Sequence, residues 1–257
     1  MDGIRADVTV QDAPLEVPAS CIAFPGRSGL GIRVAVIDSG VHASHPHIVG
    51  VAGGVTIGSQ QEEDSFVDLI GHGTAVMAAI QEKAPQAEYF AVRVFQRALH
   101  ASIDVIARAI QWCVEQRMDV INLSLGTANP AHVVRFTSLI AHAAEHGTIV
   151  VSAHNMNGIA AFPGSLIGVI GVGLDWNCPR NSYSCRRTPE GLEICASGYP
   201  RAILGVPKER NLQGISFAVA NMTGFVARAC EGLENRSHGT VCSVLAAEAE
   251  RIGLNLR

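Results

Sequence analysis

Charge is scarce in this sequence: Asp, Glu, Lys and Arg make up only 16% of its 257 residues, against 48% hydrophobic. So small a charged fraction argues against a disordered chain and for a well-buried sheet, since disordered segments carry too little apolar surface to offset their ordering entropy. There is no basic block, and the formal net charge is −4, so no nucleic-acid partner is expected. No apolar run reaches the length of a membrane span, which leaves no membrane role to expect. The amino terminus, Met1-Asp2-Gly3-Ile4-Arg5-Ala6-Asp7, lacks the charged and apolar regions of a signal peptide. A cysteine framework is missing as well. The seven cysteines are odd in number and scattered, the pattern of reduced thiols, and the expected localisation is cytoplasmic.

What is present suits one large α/β domain with a substantial core. Residues 1–30 carry Pro14, Pro18 and Pro25 in no clear period and are expected as an extended N-terminal arm, with the domain running from 31 to 257. Ile32 to Ile37 is a short, mostly β-branched apolar run, the mark of a buried parallel strand. It ends at Asp38, followed by the turn residues Ser39-Gly40; residues 50–57 add a further strand. From Gly71 the pattern turns helical, with His72, Ala75, Val76, Ala79 and Ile80 on one face.

A β–α alternation follows. Tyr89–Phe95, Asp119–Leu125 and Thr148–Ala153 read as strands, separated by helices carrying Ile103, Ile106, Ile110 and Val114, and then residues 131–146. Alternation of this kind implies a parallel sheet with helices on both faces. Residues 175–195 are expected as loop, Ile203–Val206 as a last short strand, and about Gly239 to Leu254 as a closing helix.

Parallel strands share a direction, so groups just beyond their carboxyl ends meet on one rim, where open α/β sheets bind ligands. That rim is expected to hold Asp38, Ser124-Leu125-Gly126 and Asn155. His72 heads a buried helical stripe; a core histidine is the plain reading, but Gly71 and Gly73 beside it admit close approach of another segment. Ser216, in Gln213-Gly214-Ile215-Ser216-Phe217-Ala218, stands at the head of a run of small residues, where a helix N-terminus presents unpaired N–H groups. Alone, Gly-x-Ser is commonly no more than a cap. With Asp38 and His72 it completes Asp, His and Ser in one of the known chain orders for a charge-oriented nucleophile.

Two other clusters invite a metal. In His42-Ala-Ser-His45-Pro-His47 no cysteine or acid flanks the imidazoles, and a solvated loop beside the site is the economical reading. His142-Ala-Ala-Glu145-His146 fits an H-x-x-E-H pattern, but it sits where His and Gly147 close a helix, so capping accounts for it. Cys178, Cys185 and Cys195 match no zinc spacing, and neither a metal nor a cofactor is expected.

Taken together, Val-Ile-Asp38-Ser-Gly, Gly-His72-Gly-Thr, Val-Ile-Asn-Leu-Ser124-Leu-Gly, Asn155 in Ser-Ala-His-Asn-Met-Asn-Gly, and Gly-Ile-Ser216-Phe-Ala resemble the motifs of the subtilisin-like serine peptidases, the subtilases, from about Gly31 to Ala229. The resemblance implies a three-layer α/β/α sandwich with a mostly parallel central sheet. It also implies Ser216 as nucleophile, His72 as general base, Asp38 as its orienting carboxylate, and an oxyanion hole of Asn155 and the Ser216 N–H. Ser124-Leu125-Gly126 would pair with an extended polypeptide substrate, and His154 would narrow the pocket for the residue before the scissile bond. The chain departs from the family at Ile215, Ala220 and His154, where Thr, Pro and a small residue are usual. These departures motivate a rival expectation, a peptide-binding or chaperone-like homologue without turnover. Asp38 comes too early for a folded prodomain before it, so a compact form without one is expected, similar to the subtilases that remove a leader peptide from a precursor.

Overall fold

A computed structural model describes residues 22–253, apart from 59–61, 64, 97 and 190. Most of the expected N-terminal arm, through residue 21, lies outside the described residues.

The first strand, β1 (Arg33–Asp38), alternates its side chains between two cores: Val34 and Val36 enter one, Ala35 and Ile37 the other. A strand buried on both faces needs this continuous apolar content. The chain then builds β2 (Gly53–Ile57), β3 (Glu62–Glu63), α1 (His72–Lys83) and β4 (Glu88–Arg93) to one side of β1. It returns through α2 (Ile103–Glu115) to β5 (Val120–Leu123) on the other side. From there it continues through α3 (Val133–Glu145), β6 (Ile149–Ala153), a small hairpin of β7 (Asn155–Met156) and β8 (Ile159–Ala160), and β9 (Val169–Leu174). The last elements are β10 (Tyr183–Thr188), β11 (Gly191–Ala196), α4 (Ile215–Cys230) and α5 (His238–Ile252).

The main sheet has the order β10-β11-β9-β6-β5-β1-β4-β2-β3. Strands β11 through β2 run parallel; β10 and β3 are antiparallel edges. Helices α1, α4 and α5 cover one face, α2 and α3 the other, giving the three-layer α/β/α sandwich with a mostly parallel sheet that the motifs implied. The central helices differ from an ordinary amphipathic layer. All but a few residues of α4 are buried, because α1 crosses it on one side and the sheet lies on the other.

Two expectations need correction. Residues 175–195 are not loop throughout: β10 and β11 form an antiparallel hairpin at the sheet edge, pairing Tyr183 with Ala196 through Thr188 with Gly191. An edge hairpin keeps polar side chains on its open face, so its apolar alternation is diluted. Ile203–Val206 is a turn and not a strand; Gly205 sits at φ 77° and Leu204 is fully exposed, so the run has no sheet to pair with.

Candidate active site

Because β1 lies where the strand order reverses direction, its carboxyl end opens into the crevice where such sheets bind ligands. Asp38 is its last residue and is buried. One carboxylate oxygen, Oδ1, accepts from the Ser39 N–H and from His72 Nδ1, both at 2.7 Å. The other, Oδ2, is buried without a partner among the described residues, so this charge is directed at the imidazole. A carboxylate only accepts, so Nδ1 carries the proton and Nε2 presents its lone pair.

His72 opens α1, and its placement is over-determined. A Cβ on Gly73 would lie 2.2 Å from the Gly40 carbonyl oxygen and 3.2 Å from Asp38 Cβ, so only glycine admits this approach. Gly71 serves differently: at φ 90° it turns the chain into the helix, with open space around it. Burial works against charging His72, but the hydrogen bond and charge of Asp38, helped by Asp68, outweigh it and raise the imidazole pKa above its ordinary value.

Ser216 lies in the first turn of α4, where its N–H has no intrahelical acceptor. Its hydroxyl donates to the Ser124 carbonyl at 3.2 Å, and no Ser216–His72 hydrogen bond forms among the described residues. The neighbouring Phe217 ring packs 5.8 Å from the His72 ring, so the start of α4 is seated against that imidazole. Rotation about χ1 re-aims a serine hydroxyl, and contacts between nucleophile and base are often loose before substrate binds.

Strands β1, β5 and β6 are neighbours in register, with Ile37 beside Leu123 and Leu123 beside Ser152. Asp38, Ser124-Leu125-Gly126 and His154-Asn155 therefore follow three adjacent strands onto one rim. The Gly126 N–H and C=O have no backbone partner among the described residues and are free to pair with an extended chain. The Asn155 side-chain amide likewise has no protein partner among them. It lines, with His154 and the 164–171 segment, a cavity of about 520 Å³.

A sequence profile of the Subtilase family, Peptidase_S8, matches residues 29–255. The chain belongs to the subtilase family. It is 31% identical over 220 residues to Subtilisin Savinase from Lederbergia lenta, an alignment covering 79% of this chain and 77% of that protein. It is 31% identical over 220 residues to M-protease from Shouchella clausii (strain KSM-K16), covering 79% and 54%, and so spans about half the length of that relative. A cold adapted subtilisin-like serine proteinase shares the fold at TM-score 0.67, with 18% identity over 86% of this chain and 83% of that one.

In this subtilase, sequence reasoning missed what holds His72 in place. Asp68 is buried and accepts from Ser39 Oγ, the N–H groups of Ile70, Gly71 and Thr74, and Thr74 Oγ1, at 2.6–2.9 Å. Desolvation alone would raise its pKa, yet the hydrogen bonds from Thr74, Gly71 and Ile70 hold it below the usual value. Ser39 Oγ in turn accepts the Gly73 N–H at 2.8 Å. The signal was an acid just before a helix start, in Asp68-Leu-Ile-Gly-His72. A second missed device clamps α4, the helix that carries Ser216: Thr223 Oγ1 donates to Asn122 Oδ1, and Asn122 Nδ2 to Ser124 Oγ.

The two metal alternatives resolve differently. His142, Glu145 and His146 do bring ligand atoms within 4.8 Å of one another, all exposed. They sit at the end of α3, before the first residue of β6 and hence at the opposite end of that strand from Asn155; His146 is the C-cap residue, with Nδ1 on the His142 carbonyl at 2.9 Å, as the capping account expects. His42, His45 and His47 line a second cavity beside α1. The departures are accommodated: Ala220 is buried within an unbroken α4, and His154 Nδ1 would lie 3.2 Å from a Cβ on Gly171.

Proposed function

We propose that this subtilase is a serine endopeptidase acting through Asp38, His72 and Ser216. The observation that carries the reading is the 2.7 Å bond from His72 Nδ1 to a buried Asp38, with the start of α4 seated against the same ring. Ser216 Oγ attacks the scissile carbonyl while His72 Nε2 takes its proton. The new oxyanion is held by the Ser216 N–H and the Asn155 amide. Collapse releases the amine, which receives the proton from His72, and leaves an acyl-enzyme that water hydrolyses by the same steps. Asp38 stabilises the imidazolium in both directions and keeps its own charge.

The substrate is a polypeptide, and the reading extends to a narrow one: removal of a leader peptide from a precursor in the cytoplasm. His154 in the cavity wall supports restricted specificity, and the six described cysteines, all free thiols, fit a reducing compartment. Incubating the purified protein with leader-bearing precursors, the small subunit of quinohemoprotein amine dehydrogenase among them, and mapping products by mass spectrometry tests this. A single cut made by the wild type and not by Ser216→Ala supports it; cuts at many unrelated sites would contradict the narrow specificity.

The rival reading, a peptide-binding homologue without turnover, is favoured by one feature, the Ser216 hydroxyl resting on the Ser124 carbonyl. A fluorophosphonate that labels neither wild type nor Ser216→Ala would favour it.

A further inference from the structure

Beside the base, the loop carrying His42, His45 and His47, the first turn of α1 and the 200–212 segment enclose a cavity of about 510 Å³. Its walls are unusually one-sided in charge for a protein whose formal net charge is −4. Arg201 and Arg210 face it along with the three imidazoles. Arg201 Nη1 donates to the His47 carbonyl at 3.0 Å and so stitches the two walls together. The Arg210 side chain has no ion pair or hydrogen bond among the described residues.

The one carboxylate in the lining is Asp68, and its oxygens are already occupied by Ser39, Ile70, Gly71 and Thr74. Glu82, the acid whose charge acts on His47, is engaged by Lys83 and Arg180. Burial first, then Arg201 and His45, push the His47 pKa below its ordinary value, so this imidazole offers a neutral donor while the arginines supply the charge.

The position of the cavity says which part of a substrate reaches it. His72 delivers its proton to the leaving amine, so the residues after the scissile bond depart on His72's side. The cavity is lined by Gly71, immediately before His72, and by Leu212, four residues before Ser216. The Ser124–Gly126 edge and the cavity around His154 instead follow β5 and β6, across β1 from α1's own strands.

We propose that this cavity is a subsite for an acidic side chain, Asp or Glu, one to three residues after the scissile bond. The proposal rests on the endopeptidase reading and names a substrate class for it: chains whose mature portion begins with an acidic residue near the cut. Guanidinium forks and imidazole N–H groups are suited to a carboxylate, and an amide of the same shape cannot return the charge.

Internally quenched peptides carrying Asp, Glu, Asn, Gln or Lys at each of those three positions, with the preceding residues constant, provide the test. At one position the acid should be preferred over its amide by about tenfold or more in kcat/KM. The ratio should fall towards one in Arg210→Gln and in Arg201→Gln, and shrink with added salt. Equal rates for acid and amide at all three positions, a preference for Lys, or a ratio unchanged in both variants would overturn it. Binding of the same peptides to Ser216→Ala, followed by fluorescence anisotropy, separates the two readings. If nothing is cleaved but acidic peptides bind more tightly, the subsite stands and the endopeptidase reading falls; equal binding of acid and amide removes the subsite whatever the turnover.

Discussion

The two sides of this site are held by very different means. Asp38 and His72 are locked: a buried carboxylate ends the switch-point strand, a glycine that tolerates no side chain brings the imidazole to it, and Asp68 anchors the turn that carries His72. Ser216 and Asn155 are held lightly, one hydroxyl on a carbonyl at 3.2 Å and one amide with no protein partner among the described residues. On the endopeptidase reading proposed above, the acid–base pair is preset by folding, whereas the nucleophile and the oxyanion donor take their final positions with substrate. That division is chemically sensible. The proton acceptor must hold its tautomer at all times, while oxyanion donors act only along the reaction path.

Substitutions break the comparison most severely at the reacting atoms. Ser216→Ala or His72→Ala should lower kcat on the order of 10⁴–10⁶, measured on any cleaved peptide. Asp38→Asn should cost on the order of 10⁴, because the amide favours the wrong imidazole tautomer. On the lightly held side, Asn155→Ala should reduce kcat on the order of 10²–10³ with little change in KM; a change in KM alone would contradict its role.

The locked side should fail through stability. Gly73→Ala brings a Cβ to 2.2 Å from the Gly40 oxygen and should cost roughly 3 kcal/mol by chemical denaturation. Asp68→Ala strips the acceptor from several buried donors and should cost roughly 2–4 kcal/mol. Ser216→Ala, by comparison, should unfold within about 0.5 kcal/mol of the wild type if that side is indeed lightly held.

The smallest effects are in pH. His72 has a folded pKa raised above 6.5, so its contribution to stability is fully present below 6.5 and is lost as pH rises through the folded value. Turnover needs the neutral base and must run the other way, rising with pH through the same window. Asp68, lowered from 3.8, stabilises the fold above that pH and loses its contribution as pH falls through its folded value. Thermal scans of wild type and Asp38→Asn across these ranges check both signs.

Much of this was legible in the sequence for a physical reason. Inner parallel strands such as Arg33–Asp38 and Ile149–Ala153 are buried on both faces and must be continuously apolar, and the residues closing them fall on one rim. The edge hairpin of β10 and β11 was hidden, since Arg186 and Glu193 pair on one face and the exposed Arg187 interrupts the other. Ile203–Val206 misled in the opposite sense: an apolar run that serves the surface looks like a strand to any reading of composition. Asp38, His72 and Ser216 could be named because motifs mark them. Asp68 carried only the weak signal of an acid before a helix start, and nothing beside Asn122 marks Thr223, far along the chain, as its partner.

The most direct test of the central claim is the rate at which a fluorophosphonate phosphonylates Ser216, releasing fluoride, followed against pH. The rate should rise with pH along a single ionisation above 6.5 in the wild type and become slow and flat in His72→Ala. Labelling that ignores pH, or that proceeds equally fast without His72, would contradict a base preset by Asp38 to activate this serine.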